Sequence, residues 1–250
     1  LCFRLLLTTK ESYRVELKKI RYHWDSFKDI VRYGLPSGVQ NSVIAMANLV
    51  VQTNINSFGK AAMAGCGSYS KIEGFAFLPI TCFAQALSTF VGQNLGAQQY
   101  GRVKKGVRFA VICSVSMAEL IGVASYLLAP QLISIFNDSP EVVAYGAAHM
   151  RTICLFYCLL ALSHCIAGIL RGAGKATVPM FIMLGCWCLL RVTYISIAMQ
   201  HVNELHTVSM AYPITWFASS VLFIIYFYAA DWMHAFDRQA AREKQVQNEA

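Results

Sequence analysis

Two charged residues stand in the middle of long apolar segments, where a charge needs a specific partner. Glu119 is the thirteenth residue of the segment 107–129, and Arg191 is the fourteenth residue of the segment 178–200. A charge at the centre of a membrane helix costs about 2.5–3.5 kcal/mol on insertion scales. If both segments enter from the same side, the two side chains lie at nearly equal depth. We therefore expect a buried Glu119–Arg191 ion pair, either a permanent brace or a switch in which a cation replaces Arg191.

A stripe of polar side chains follows one face of the segment 34–57. At 100° per residue, its members fall within an arc of roughly 100°; they are Ser37, Asn41, Asn48, Gln52 and Asn56. Such an arc is unsuited to lipid. It lines a water-filled cavity or it hydrogen-bonds to neighbouring helices, and the sequence leaves both interpretations open.

The segment 70–93 carries an acid near its start and an amide further along. Glu73 is its fourth residue, so its charge either reaches water at the outer surface or takes part in an ion pathway. Gln85 lies deeper on the same helix, beyond Pro79. A proline at that position predicts a kink, either fixed or part of a gate.

His164 shares a helical face with Tyr157, Ala161 and Gly168. Small neighbours indicate close helix packing, so we expect the imidazole to face protein. It serves there either as a proton-sensitive gate or as a hydrogen-bonding packing residue.

The elements that must position these residues are membrane helices. Only 14% of the chain is charged, against about 25% in a soluble domain. The apolar residues form six segments long enough to cross a bilayer core of about 30 Å: 34–57, 70–93, 107–129, 147–170, 178–200 and 208–230. The predicted fold is an all-α polytopic membrane protein whose six transmembrane helices form one lobe, 34–230.

The Lys and Arg residues are concentrated on one side of the predicted membrane. Seventeen of the 21 lie in 1–33, in alternate connections and in the tail, 231–250. The positive-inside rule therefore predicts that both ends are cytoplasmic. The chain begins without Met, so we interpret 1–33 as the end of a preceding helix and a basic linker. Its residues 10–33 are predicted to form an amphipathic helix at the membrane interface.

Several other chemistries are disfavoured. Cys186 and Cys188, with Cys154 and Cys158, lack the further ligands that zinc requires, so neither a metal nor a cofactor is expected. The Gly172–Lys175 turn lacks the full phosphate-loop spacing. No nucleophile, base and orienting residue occur together, so an enzyme is not expected. Because the basic residues sort by side rather than forming one patch, a nucleic-acid partner is not expected.

Five ordered stretches resemble the second lobe of multidrug and toxic compound extrusion (MATE) transporters. They occur in the same order across about 200 residues; they are Gly34–Gly38, Lys71–Phe75, Phe90–Ala97 with the basic residues after it, Gly168–Gly174 and Tyr212–Trp216. The stretch Phe90-Val91-Gly92-Gln93-Asn94-Leu95-Gly96-Ala97 is the most specific of them.

The resemblance implies a twelve-helix plasma-membrane protein with a central cavity between two six-helix lobes. This chain is then the C-terminal lobe, and the N-terminal lobe is its partner. The family exports cationic or amphipathic compounds in exchange for Na⁺ or H⁺. Glu73 matches an acidic position of the family, whereas His164 stands where many relatives carry a carboxylate, and Ile44-Ala45-Met46 where some carry an acid.

Two alternatives remain beside an exporter of small organic cations. A lipid-linked oligosaccharide flippase of the same superfamily is expected to show a cavity rich in Arg and Lys, for which Arg191 gives little support. In a non-transporting membrane scaffold, the polar residues only pack helices. Accessibility of the polar stripe to water distinguishes a transporter from a scaffold.

Overall fold

The structure is a computed structural model that describes residues 7–9, 15 and 21–234. Residues 10–14 and 16–20 of the predicted interfacial helix at 10–33, and most of the tail at 231–250, lie outside these residues. The described part contains helices and no strand, which confirms the predicted all-α membrane fold. In chain order the elements are α1 (Trp24–Asn56), α2 (Lys60–Gly96), α3 (Tyr100–Leu127), α4 (Ala129–Ser134), α5 (Pro140–Cys154), α6 (Tyr157–Gly172), α7 (Thr177–Met183), a π-helical turn (Leu184–Leu190), α8 (Arg191–His201) and α9 (Leu205–Ala229).

Four helical spans in the described residues are long and apolar enough to cross a membrane by themselves. They are Lys60–Gly96, Tyr100–Leu127, Thr177–His201 and Leu205–Ala229. Helices α5 and α6 make a fifth span if they are taken together, although they are bent by 53° at the break between them. Because each span is helical, the backbone polar groups are satisfied within it, as a bilayer requires.

Helix α1 differs from its prediction in length and in character. It runs unbroken for 33 residues, so 24–33 continues directly into the predicted span instead of ending before it. It is not among the helices that meet the criterion for a membrane span. Its polar stripe lowers its hydropathy, which is consistent with a helix that faces protein or water along one side.

Helix α2 begins ten residues before the predicted start at 70. It has 37 residues, or about 55 Å at 1.5 Å per residue, well beyond the roughly 30 Å hydrocarbon core. Its first ten residues are rich in Ala and Gly, whose small side chains give a weak hydropathy signal. Glu73 therefore lies about 20 Å along α2, well beyond the fourth helical position that the sequence predicts for it.

Close backbone contacts hold α2 against α6. A Cβ atom added to Gly168 would lie 3.2 Å from the Cα of Ala84, and one added to Gly172 would lie 3.0 Å from the Cα of Ser88. The two glycines are one helical turn apart, as in the small-residue pairs that let membrane helices approach closely. Helix α6 is consequently placed with little freedom relative to α2, which carries Glu73.

Replacing Gly168 with Ala should destabilise the protein, since the added methyl group would meet the backbone of α2. We expect a loss of about 1–3 kcal/mol, measured as a lower thermal midpoint of the purified full-length protein in detergent. The matched control is Gly67→Ala, also in a helix, where an added Cβ meets no atom within 4 Å. If both variants have the wild-type midpoint, α2 and α6 are not packed this closely.

Candidate functional site

Arg191 is buried within the helical bundle at the start of α8, with 1% of its surface exposed. One terminal guanidinium nitrogen donates a 2.9 Å hydrogen bond to Asn48 Oδ1 of α1, and the other donates a 3.0 Å bond to Thr215 Oγ1 of α9. The Nε group has no hydrogen-bond partner. The side chain therefore links three segments of the bundle through a single cation.

Two aromatic rings complete the surroundings of this guanidinium. Its central carbon lies 4.7 Å from the centroid of the Tyr212 ring and 5.6 Å from that of Trp187. Such contacts reach about 2 kcal/mol or more where water is excluded. Trp187 belongs to the π-helical turn and donates a 3.0 Å hydrogen bond to Ser219 Oγ of α9, which fixes its ring.

Glu73 faces Arg191 from α2. Its Oε1 accepts a 3.0 Å hydrogen bond from the Tyr69 hydroxyl, which lies 3.2 Å from the Tyr157 hydroxyl of α6. Glu73 and Arg191 interact electrostatically, but no ion pair joins them in the described chain. Glu73 is hydrogen-bonded to Tyr69, and Arg191 is hydrogen-bonded to Asn48 and Thr215, all of which are uncharged side chains.

A cavity of about 500 Å³ separates these two charges. It is bounded by α1, α2, α6, the π-helical turn, α8 and α9. Its lining combines amides, hydroxyls, one acid, one base and aromatic rings; the residues are Ile44, Asn48, Gln52, Ser70, Glu73, Gly74, Phe77, Leu160, Trp187, Arg191, Tyr212 and Trp216. Four of the eight residues proposed from the sequence, Asn48, Gln52, Glu73 and Arg191, thus lie around one cavity.

The predicted Glu119–Arg191 ion pair is wrong. Helix α3, which carries Glu119, packs mainly against α2, α5 and α6, whereas α8 packs against α1 and α9. Glu119 adjoins Cys154 and Cys158, and its Oε2 has no hydrogen-bond partner. Depth in a membrane does not specify on which side of a helical bundle a residue lies, so an expected equal depth does not predict a contact.

The other three proposed residues do not line the cavity. Asn41 is exposed on α1, and Gln85 is exposed on α2. His164 lies next to the cavity wall, its ring centroid 5.0 Å from that of Phe77 and 5.5 Å from that of Trp187, both with edge-on geometry. Its Nε2 is buried without a hydrogen-bond partner.

Sequence reasoning missed the aromatic part of the site. The sequence singles out the two cysteines beside Trp187 and not Trp187 itself, and Tyr212, Thr215 and Trp216 stand out only as part of a motif. That motif carried the missing signal, because it holds both the ring and the hydroxyl that contact Arg191. The π-helical turn carried no comparable signal in the sequence.

A second cavity, of about 370 Å³, opens between α5 and α9. His149 lines it and shares a 2.6 Å hydrogen bond with Ser209 Oγ. The other side of the imidazole packs edge-on against Tyr69, with 4.9 Å between ring centroids. Tyr69 thus contacts both His149, which lines this cavity, and Glu73, which lines the cavity around Arg191.

Comparisons with known proteins agree with this architecture. The MatE family model matches residues 36–197. The probable multidrug resistance protein NorM of Thermotoga maritima is 27% identical over 173 residues, which are 69% of this chain and 37% of that protein. The probable multidrug resistance protein YpnP of Bacillus subtilis is 25% identical over 151 residues, 60% of this chain and 34% of that protein.

A solved structure has the same fold. It is a MOP superfamily transporter from Pyrococcus furiosus, with a TM-score of 0.81 and 18% identity. The match covers 90% of this chain and 51% of that one, and this chain spans well under half the length of the two curated relatives. The family model covers more than half of the chain, so the chain belongs to the MatE family of multi-pass membrane transport proteins.

Proposed function

We propose that this chain is one lobe of a secondary-active antiporter that exports cationic or amphipathic compounds in exchange for Na⁺ or H⁺. The observation that supports this most directly is the polar cavity, in which a carboxylate and a guanidinium face each other without pairing. Unpaired charges at this depth are costly unless a ligand or water satisfies them.

Glu73 is the residue to which we assign the coupling cation. Its Oε1 is occupied by Tyr69, which leaves the rest of the carboxylate for a proton or a hard cation that prefers oxygen ligands. Asn48 and Gln52 place amide groups on the opposite wall. A cation bound here neutralises Glu73 and weakens its attraction for Arg191, so binding changes the electrostatic balance across the cavity.

The full transport path requires a second lobe. Asn41 and Asn48 of the polar stripe are exposed in this lobe alone, and the solved transporter is about twice as long as the matched region. We assign the N-terminal lobe to that surface, with the substrate between the two lobes. The basic connections support a cytoplasmic location for both ends of this chain, and we assign the protein to the plasma membrane.

Glu73→Gln should abolish gradient-driven ethidium efflux from cells that express the full reading frame. Gln keeps an oxygen that accepts the Tyr69 hydrogen bond, so the fold is retained while the charge is lost. The matched control is Glu119→Gln, the same change in a carboxylate that does not line the cavity, which should leave efflux within about twofold of wild type. Imposing a sodium or a proton gradient in turn identifies the coupling ion. If both variants transport like wild type, the coupling site is elsewhere.

A cysteine in place of Gln52 should react with a polar thiol reagent, and substrate should slow the reaction. The experiment requires a background in which Cys2 and the exposed and half-exposed cysteines of the described residues, Cys82, Cys113, Cys158 and Cys188, are replaced. Ala47→Cys is the control, because Ala47 lies on the same helix with 1% exposure and should stay unreactive. Equal protection at both positions would favour the scaffold alternative.

A second candidate, export of a planar anionic compound, is favoured by one observation. The buried cation of Arg191, between two aromatic rings, forms part of the cavity wall. In the related Pyrococcus furiosus transporter, reversed polarity of the binding pocket has been taken to suggest a different function. A guanidinium flanked by rings binds flat anions by charge and stacking.

Arg191→Gln distinguishes the two candidates. For a cation exporter we expect loss of stability, because the contacts to Asn48 and the two rings are lost, with ethidium transport retained per folded molecule. For an anion exporter, efflux of an anionic dye such as carboxyfluorescein should fall at least tenfold. Arg151→Gln, an exposed arginine outside the cavity, is the control. Efflux of neither dye by wild type would contradict both candidates.

A further inference from the structure

A further cavity lies apart from the one that holds Glu73 and Arg191. It measures about 850 Å³ and lies where α3 begins and α9 ends, with α6 between them. Its wall is mostly aliphatic, formed by Val111, Ile112, Leu162, Ile166 and Ile224 among others. None of its lining residues lines the cavity around Arg191.

Two cations stand at one end of this aliphatic wall. Lys104 and Arg108 are one helical turn apart on α3, on the same face, and both are exposed. Neither makes an ion pair within the described chain. They repel each other, and Lys104, the fifth residue of α3, lies next to the positive end of the helix macrodipole, where no acidic residue occupies the first turn. An anion placed between them relieves both effects.

In the described chain, the single acid in the lining, Asp231, forms no ion pair with either of these cations. Asp231 Oδ1 is 2.7 Å from His234 Nδ1, so the carboxylate is already engaged by its own segment. This segment closes the cavity from the end of α9. Trp232 is buried, stacks near Phe227 at 5.0 Å between centroids and donates a 3.2 Å hydrogen bond to the Phe227 carbonyl.

The order of polar and apolar groups along this cavity matches that of a phospholipid, with its charged headgroup at one end and its acyl chains beyond it. Cations and interfacial aromatic residues lie at one level, and an aliphatic trough extends from them along α3, α6 and α9. Trp and Tyr favour the headgroup level of a bilayer, and basic residues at the cytoplasmic surface meet an anionic leaflet. The volume is within the range of cavities that enclose a small ligand.

We propose that this cavity binds one anionic phospholipid, with its phosphate between Lys104 and Arg108 and its acyl chains against Ile112, Ile166 and Ile224. The inference depends on the chain spanning a membrane and not on what it transports. A failure here therefore leaves the antiporter proposal untouched.

The test compares two lipids with the same acyl chains, phosphatidylglycerol and phosphatidylcholine, added to purified full-length protein in detergent. A ligand that binds only the folded state raises the thermal midpoint, so the shift reports binding. We expect a larger shift with phosphatidylglycerol. Lys104→Gln and Arg108→Gln should each weaken this preference about fivefold, corresponding to about 1 kcal/mol per basic residue near an anionic surface. Lys105→Gln, a neighbouring exposed lysine outside the cavity, should leave the preference unchanged.

Three outcomes would overturn the inference. Equal shifts with the two lipids would exclude charge recognition, and an equal effect of Lys105→Gln would exclude this site. An equal shift with glycerol phosphate alone would assign the site to a soluble anion instead. A measurement on wild type guards against variants that fail to fold: native mass spectrometry should show one phosphatidylglycerol retained per protein in preference to phosphatidylcholine.

Discussion

The placement of Arg191 is the constraint on which the rest of this lobe depends. A guanidinium cannot give up its proton in a protein, and this one is only 1% exposed, so the fold has to surround it with acceptors and rings. Asn48, Thr215, Tyr212 and Trp187 meet that need from three different segments. The same contacts attach α1 to the bundle, and a 2.7 Å contact from Gln40 to the Met183 sulfur adds a second point of attachment.

The packing around this cation divides the lobe into a rigid part and a more loosely attached one. Glycine contacts bring α2 and α6 to backbone distance, and a similar contact joins Gly65 of α2 to Gly146 of α5. Protein interiors of this kind transmit displacement rather than absorb it. Neither glycine of α1 makes such a contact, since an added Cβ on Gly34 or Gly38 would meet nothing within 4 Å. Glu73 and Tyr69 thus belong to the rigid part, whereas Asn48 and Gln52 are carried by the helix that is attached mainly through side chains.

Much of this architecture was predictable from the sequence, and the errors have physical causes. Hydropathy identified the helical membrane fold, because in lipid the backbone N–H and C=O groups must form their hydrogen bonds within the protein, as a helix allows. It misplaced the start of α2, since Ala and Gly carry little hydropathy, and so put Glu73 ten residues too near the start of its helix. Helical periodicity brought Asn48 and Gln52 to one face correctly. Helical periodicity could not decide whether Glu119 contacts Arg191. It gives the direction of a side chain about its own helix axis, but not the order of the helices in a bundle. Only the contacts of α3 and α8 decide that pairing.

The π-helical turn before Arg191 has a consequence for how relatives are compared. Its hydrogen bonds reach one residue further than those of an α-helix, so the chain between Thr177 and His201 holds more residues per unit length than an unbroken α-helix would. A homologous span without the turn reaches the same height with one residue fewer. A one-residue gap near Leu184–Leu190 in an alignment then reflects a change of helical register, and an arginine that appears shifted by one position can occupy the same point in space.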